Sequence, residues 1–334
     1  MKKFLLFFLV SLTVCSFLYA EAQQESSEKI EMKIGHIRDM EHPAHLGAVK
    51  FADLVSDYSD GRITVKVYPN SQLGGPEEMF TQLQTGDLEM VYGGINTMAW
   101  IGGGEPYEIT SMPFLFRNYD HMRRALISDF FLPVQTKVEE DTGIKIVNPA
   151  GDTAPRGLST NLQIKNVKDL QGLKIRTAAS ETALRLWKHF GALPEQIPYA
   201  DLYMALRTGV VEAQENGALV VASKNFYEVQ DYYIRTDYIG DIETFYMSLD
   251  LWNSLNPKDQ ELIMKASDEA GEYVTQLTKE KLDEAYDFLR TKITVIESPE
   301  LDLDSFRNSV VGLFDDWDGV RWPKGLLESI KNLK

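Results

Sequence analysis

Short apolar runs, alternating or continuous, recur along the chain with segments of helical period between them. EMKIGHI, RITVKVYP, DLEMVYGG, IKIVNPA, LKIRT, VVEAQEN, TFYMSL and ITVIE read as strands, and their alternation with helices predicts an α/β fold with largely parallel sheets. A weak internal echo sits inside this pattern. LQTGDLE (83–89) resembles LRTGVVE (206–212), each read as a helix closed by a glycine and followed at once by a strand. Two lobes with related βαβ units would leave such a trace, and so would chance similarity over so short a stretch.

The pattern after Asn256 predicts one very long helix. Asn256 can cap it, Pro257 suits the first helical position, and Leu262, Ala266, Ala270, Tyr273, Leu277, Leu282, Tyr286 and Leu289 follow at helical spacing with one slip. From Pro257 to Arg290 it would extend ~50 Å at 1.5 Å per residue. That exceeds one lobe, so the helix is expected to run across both and brace them.

The N-terminus has a different pattern. Lys2 and Lys3 precede an apolar run from Phe4 to Val14 that continues to Leu18, and Ala20-Glu21-Ala22 gives a small-x-small cleavage site. Residues 1–22 therefore read as a signal peptide and 23–30 as a polar tether, which places the mature protein in the periplasm. Lipidation at Cys15 competes with this reading, although Val14 is a poor residue to precede a lipidated cysteine. Cys15 is the only cysteine, so cleavage after Ala22 excludes disulfides, a cysteine nucleophile and Cys-ligated metal. The remaining chain of about 310 residues is long enough for two lobes without staples.

The formal net charge of the whole chain is −16; residues 1–22 carry two Lys and one Glu (+1), which leaves −17 on the rest. Such acidity argues against nucleic acid or an anionic membrane as partner, and it requires any anion site to be built locally. No further apolar run approaches the ~20 residues that span a bilayer.

Against that background the arginine of GLKIRT stands out. Arg176 falls where a strand gives way to a helix, the edge at which open α/β sheets bind ligands, and its fork can take a carboxylate with two parallel hydrogen bonds. A structural salt bridge is the plainer reading. Arg156, in the turn-rich GDTAPRGLST, would either approach the same anion from another side or remain a solvated loop residue. Asn216 ends VVEAQEN, where its amide would serve hydroxyl and carboxylate groups or simply turn the chain before Gly217. Tyr199, after Pro198, is a ligand contact or a core aromatic. The five histidines do not make a metal site: EHPAH spaces His42 and His45 by three with a proline between them, which reads better as a capped helix start with His36 and His45 facing a cleft. Gly102-Gly103-Gly104 lacks a P-loop frame and reads as a loop, and no G-x-S-x-G elbow or cofactor motif occurs.

GRITVKVYPNSQLGG, LQTGDLEM, SMPFLF, DLQGLKIRT, YMALRTGVVEAQEN and the long helix together resemble the extracytoplasmic solute-binding proteins of TRAP transporters, the DctP type, over essentially the whole mature chain. The resemblance implies that Arg176 forms the salt bridge to a ligand carboxylate, that Arg156 and Asn216 orient it, and that Tyr199 lines the cleft. His36, Asn96 and Gln214 complete the candidate set with Tyr238, which stands where the family often has a histidine. It implies a two-lobed periplasmic-binding-protein-like fold, residues 31–153 plus 241–281 in one lobe and 154–240 plus 282–334 in the other. Ile37, Pro76 and Gly94 stand where sialic acid binders place polar or acidic groups, so the pocket is expected to accept hydroxyls and to give no counter-charge to an amine.

The implied function is capture of a small organic acid, a hexuronate or aldonate first and a C4-dicarboxylate or hydroxy or keto acid next, by a monomer that delivers it to TRAP permease subunits. A ligand-sensing partner of a receptor kinase, and an enzyme acting on an acid sugar with His36 as base, are the rival readings.

Overall fold

The computed structural model describes residues 29–334; the expected signal peptide, and the tether up to residue 28, lie outside the described residues. Five strands, β1 (Ile30–Gly35), β2 (Ile63–Tyr68), β3 (Met90–Gly94), β4 (Ile144–Asp152) and β10 (Ile242–Ser248), form one sheet in the order β2-β1-β3-β10-β4. Six more, β5 (Arg156–Thr160), β6 (Lys174–Thr177), β7 (Leu193–Gln196), β8 (Ala213–Gly217), β9 (Tyr232–Ile234) and β11 (Thr294–Ile296), form the second in the order β11-β9-β5-β8-β6-β7. Every strand read from the sequence is present. β5, β7 and β9 were not legible, being short or, for LPEQ of β7, carrying a proline that only the sheet edge tolerates.

The sheets are mixed rather than largely parallel. β1 pairs in parallel with β2 and β3, and β6 with β7 and β8, but β10 runs antiparallel to β3 and β4, and β5 antiparallel to β8 and β9. The exceptions have one cause: β5 and β10 are the strands by which the chain leaves one sheet and enters the other. The two crossings hydrogen-bond each other, Thr153 N–H to the Asp241 carbonyl at 3.1 Å and Arg156 N–H to the Ile239 carbonyl at 2.9 Å.

The internal echo marks real equivalence. Three strands are arranged alike in the two sheets, β2-β1-β3 in the first and β7-β6-β8 in the second, and the repeated segment leads into β3 in one and β8 in the other. Gly86 (φ 77°) and Gly209 (φ 72°) adopt the left-handed conformation that ends each helix.

Met32 and Ile34 turn from β1 into the first core, where Phe245 of β10 lies between Phe51 and Tyr92 with ring centroids 4.5 and 4.1 Å away. Such pairs add ~0.5–1.5 kcal/mol each beyond area burial. The long helix runs over Pro257–Arg290, with the Asn256 side chain accepting from the Lys258 and Asp259 amides at 3.0 Å each. Ile263, Ala266, Ala270 and Val274 pack on the first lobe, and Ala285, Tyr286 and Leu289 on the second. Tyr273, read as part of this stripe, is exposed; Val274 takes the place four residues after Ala270. A Cβ on Gly271 would overlap Ala150 of β4, so glycine is what lets the helix lie directly on that strand. The C-terminal segment touches both lobes, through Arg117 to the Leu333 carbonyl at 2.6 Å and Arg185 to Asp316 at 2.6 Å. Among the described residues no helix is long and apolar enough to cross a membrane.

Candidate functional site

The C-terminal ends of β1, β3, β6 and β8 face one another across a cleft of about 580 Å³, within the range of small-molecule sites. Arg176, Arg156, Asn216, Tyr199, Asn96 and Tyr238 all line it, as do Ile37, Pro76 and Gly94.

Arg176 occupies the third position of β6, paired between Glu195 of β7 and Gln214 of β8, just before the helix Glu181–His189 that Ser180 caps. It is 4% exposed. Its Nε donates to the Ile197 carbonyl at 2.8 Å, which aims the guanidinium, and among the described residues no carboxylate pairs with it. Burial first, and then neighbouring Arg156, pull its pKa down to about 10 against the opposing pull of Glu215. A buried guanidinium held this way is short of negative charge, and an incoming carboxylate supplies it.

Arg156 is not a loop residue: it opens β5, opposite Gly217 of β8. Its Nε and Nη2 grip Glu215 at 2.5 and 2.8 Å, and Nη2 also donates to the Glu215 carbonyl at 2.7 Å and to Asn216 Oδ1 at 3.2 Å. Burial works against this cation, but the Glu215 carboxylate outweighs it and holds the pKa well above the ordinary arginine value. The fork that the sequence offers to a ligand thus holds Glu215, and Arg156 acts on the cleft mainly by fixing Asn216. Asn216 Nδ2 in turn donates to Gln214 Oε1 at 2.6 Å. Gln214 is wholly buried, donates to Ser159 Oγ at 2.7 Å and does not line the cleft, so it supports Asn216 from behind. Tyr238 gives its hydroxyl to Glu215 at 2.7 Å.

His36 does not face the cleft. It is wholly buried, accepts from the Arg38 amide at Nδ1 (3.2 Å) and lies 3.1 Å through Nε2 from His45 Nδ1. Burial first, then His45 and Arg38, push it down to about 3, so it is neutral at physiological pH. With both ring nitrogens engaged and no access to the cavity it is no base for a bound acid. His42 caps the helix Pro43–Tyr58, its Nδ1 accepting from the Ala44 amide at 3.2 Å.

Sequence reasoning missed Arg38 and Asp241, both charged and both in the cleft wall. Arg38 follows β1 and is held by Glu243 of β10 through Nε and Nη2 at 3.1 and 2.8 Å. Asp241, on the crossing into β10, is 4% exposed and lines the cavity. It corrects the expectation of a pocket without counter-charge. The available signal was GDIETFY, where two carboxylates open a strand that is otherwise fully buried.

Burial first, and then Glu243, raise the Asp241 carboxyl from 3.8 to about 7. The folded protein therefore keeps a proton that the unfolded chain has released, and this contribution to stability is lost as pH rises from about 4 to about 7. At ~1.36 kcal/mol per pKa unit the effect is bounded at roughly 4 kcal/mol. Ligand-free Asp241→Asn should accordingly gain melting temperature relative to wild type between pH 4.5 and pH 8. An equal difference at both pH values would mean that Asp241 does not titrate in this window.

Comparison with known proteins agrees with the geometry. The sequence model of the bacterial extracellular solute-binding protein family 7, DctP, matches residues 34–318. Solute-binding protein RD1_1052 of Roseobacter denitrificans is 27% identical over 272 residues, 81% of this chain and 82% of its own. Its crystal structure, a TRAP periplasmic solute-binding protein with bound L-galactonate, superposes with a TM-score of 0.82 at 25% identity over 91% of this chain and 99% of that one. The sialic acid-binding periplasmic protein SiaP of Vibrio cholerae is 28% identical over 282 residues, 82% of this chain and 86% of its own. The family model runs from the end of β1 through both sheets and the long helix to residue 318, and the chain belongs to the bacterial extracellular solute-binding protein family 7, the solute-binding proteins of TRAP transporters.

Proposed function

We propose that the protein, exported by its signal peptide, captures a small hydroxylated carboxylate in the periplasm as a monomer and delivers it to the membrane subunits of a TRAP permease. The observation that carries this reading is the state of the three cleft arginines. Arg38 and Arg156 are neutralised by Glu243 and Glu215, whereas Arg176 is buried with one carbonyl as partner. One anionic group is thus wanted at one place. Sugar acids are favoured: the L-galactonate of the Roseobacter relative is one, and Ile37 and Pro76 line the cleft with apolar groups where the family resemblance expects polar partners for sialic acid. A thermal-shift panel tests the class. Uronates, aldonates and small hydroxy acids should contain the hit, and neutral sugars and sialic acid should not.

The reading also requires closure around the ligand. Asp39 of the first lobe and Lys224 of the second lie 4.0 Å apart, a pair that holds only when the lobes are together. Saturating ligand should therefore compact the protein in small-angle scattering and raise its melting temperature by mass action. Superimposable scattering curves with and without ligand would speak for a rigid, preformed pocket.

A further inference from the structure

We propose that Asp241 reads the end of the ligand away from Arg176, exchanging hydrogen bonds with hydroxyls there and turning away a second carboxylate. The proposal rests on the carboxylate reading of the cleft and narrows it. Asp241 Oδ1 accepts from the Ile242 amide at 2.9 Å, while Oδ2 has no hydrogen-bond partner among the described residues and lies over Gly94 beside Asn96. A Cβ on Gly94 would overlap Oδ2 and come within 3.0 Å of Asn96 Oδ1. Glycine at the end of β3 is thus the space that this carboxylate occupies: the polar group missing from position 94 is supplied from the crossing segment.

The charges that act on Arg176 are Glu215, Arg156 and Tyr199, and those that act on Asp241 are Glu243, Arg156 and Arg38. Neither acts on the other, and they enter the cleft from different sheets: Arg176 from β6 of the second, Asp241 over Gly94 at the end of β3 of the first. Arg38 and Arg156 are matched by Glu243 and Glu215, which leaves Arg176 and Asp241 as the buried cation and acid open to the ligand; Glu77, the other lining carboxylate, is exposed to solvent. A monocarboxylate on Arg176 balances the site when Asp241 is protonated, whereas a dicarboxylate leaves an uncompensated buried anion in either protonation state. An ammonium group would need Asp241 ionised, against its burial and Glu243, and would sit beside two guanidinium groups. A hydroxyl both donates and accepts, and so pairs with Asp241 in either form.

The test is calorimetry on the intact mature protein. Gluconate, L-galactonate and L-gulonate are screened first, and the tightest is titrated beside its aldarate (glucarate or galactarate) and its 6-amino-6-deoxy analogue, which place a carboxylate or an ammonium at the end away from Arg176. Wild type should prefer the aldonate to both by about tenfold or more. Asp241→Asn should lose about tenfold for the aldonate and bring the aldarate to within a few-fold of it. Gly94→Ala, which displaces the carboxylate without changing it, should weaken the aldonate in the same way. Arg176→Ala separates the two readings, since it should abolish binding of every acid. If Arg176→Ala does so while Asp241→Asn and Gly94→Ala bind the aldonate as wild type does, the role of Asp241 falls and the carboxylate reading stands. A wild-type preference for the aldarate or the amine overturns the proposal, and failure of all the acids to bind overturns both.

Discussion

Arg176→Ala should abolish measurable capture of the acid ligand while leaving the free protein as stable as wild type or more so. The binding loss is on the order of 3–5 kcal/mol, about 10²–10⁴-fold in Kd, because the carboxylate would be desolvated with no charge to meet it. The stability half follows from the same geometry. The ligand-free guanidinium is 4% exposed and holds one carbonyl, so deleting it relieves a burial cost that only the ligand offsets. Arg176→Lys should also bind poorly, because an ammonium lacks the planar fork and the Nε–H that the Ile197 carbonyl orients. Calorimetry and thermal melts on the two variants check both halves; near-native affinity in either would remove the carboxylate site from Arg176.

Glu215→Ala should have the largest effect on stability. Glu215 holds Arg156 through two side-chain oxygens and receives the Tyr238 hydroxyl, with Glu215 and Tyr238 buried and Arg156 largely so. Removing it strands a buried guanidinium beside Arg176 and a buried phenol, at a cost of about 3–5 kcal/mol. Urea unfolding measures this, and Glu215→Gln, which keeps an acceptor for Tyr238, should lose less. A Glu215→Ala protein within about 1 kcal/mol of wild type would show that water replaces the pair, as it does at exposed bridges.

The sequence reading went furthest where local pattern and tertiary role coincide. The long helix could be read to the residue because Asn256, Pro257 and a 3.6-residue stripe all act locally. Arg176 could be read because a β-branched run places it at a strand end. The misses concern residues whose role is set from across the fold. Arg156 was read as a second contact to the ligand anion or as a loop residue, because β5 exists only through its antiparallel pairing with β8, some sixty residues on, and that pairing brings the guanidinium to Glu215. His36 was expected to face the cleft beside a capped helix start, but His45 in the first turn of that helix takes it inward. Gln214 and Asn216 share one motif, yet only Asn216 reaches the cavity. GDIETFY marked Asp241 as unusual but not where it goes, because nothing near Gly94 in sequence says that a carboxylate from the crossing segment fills the space it leaves.

The central claim is that this cleft selects for a carboxylate, and a matched pair of ligands tests it most directly. Calorimetric titration of the wild-type protein with a hexuronate that binds, and with the parent neutral hexose of identical stereochemistry, isolates the carboxylate alone. Binding of the uronate with no detectable heat from the hexose, a gap of about 3 kcal/mol or more, is the result this account predicts. A neutral sugar that binds as tightly as its own uronic acid would contradict it.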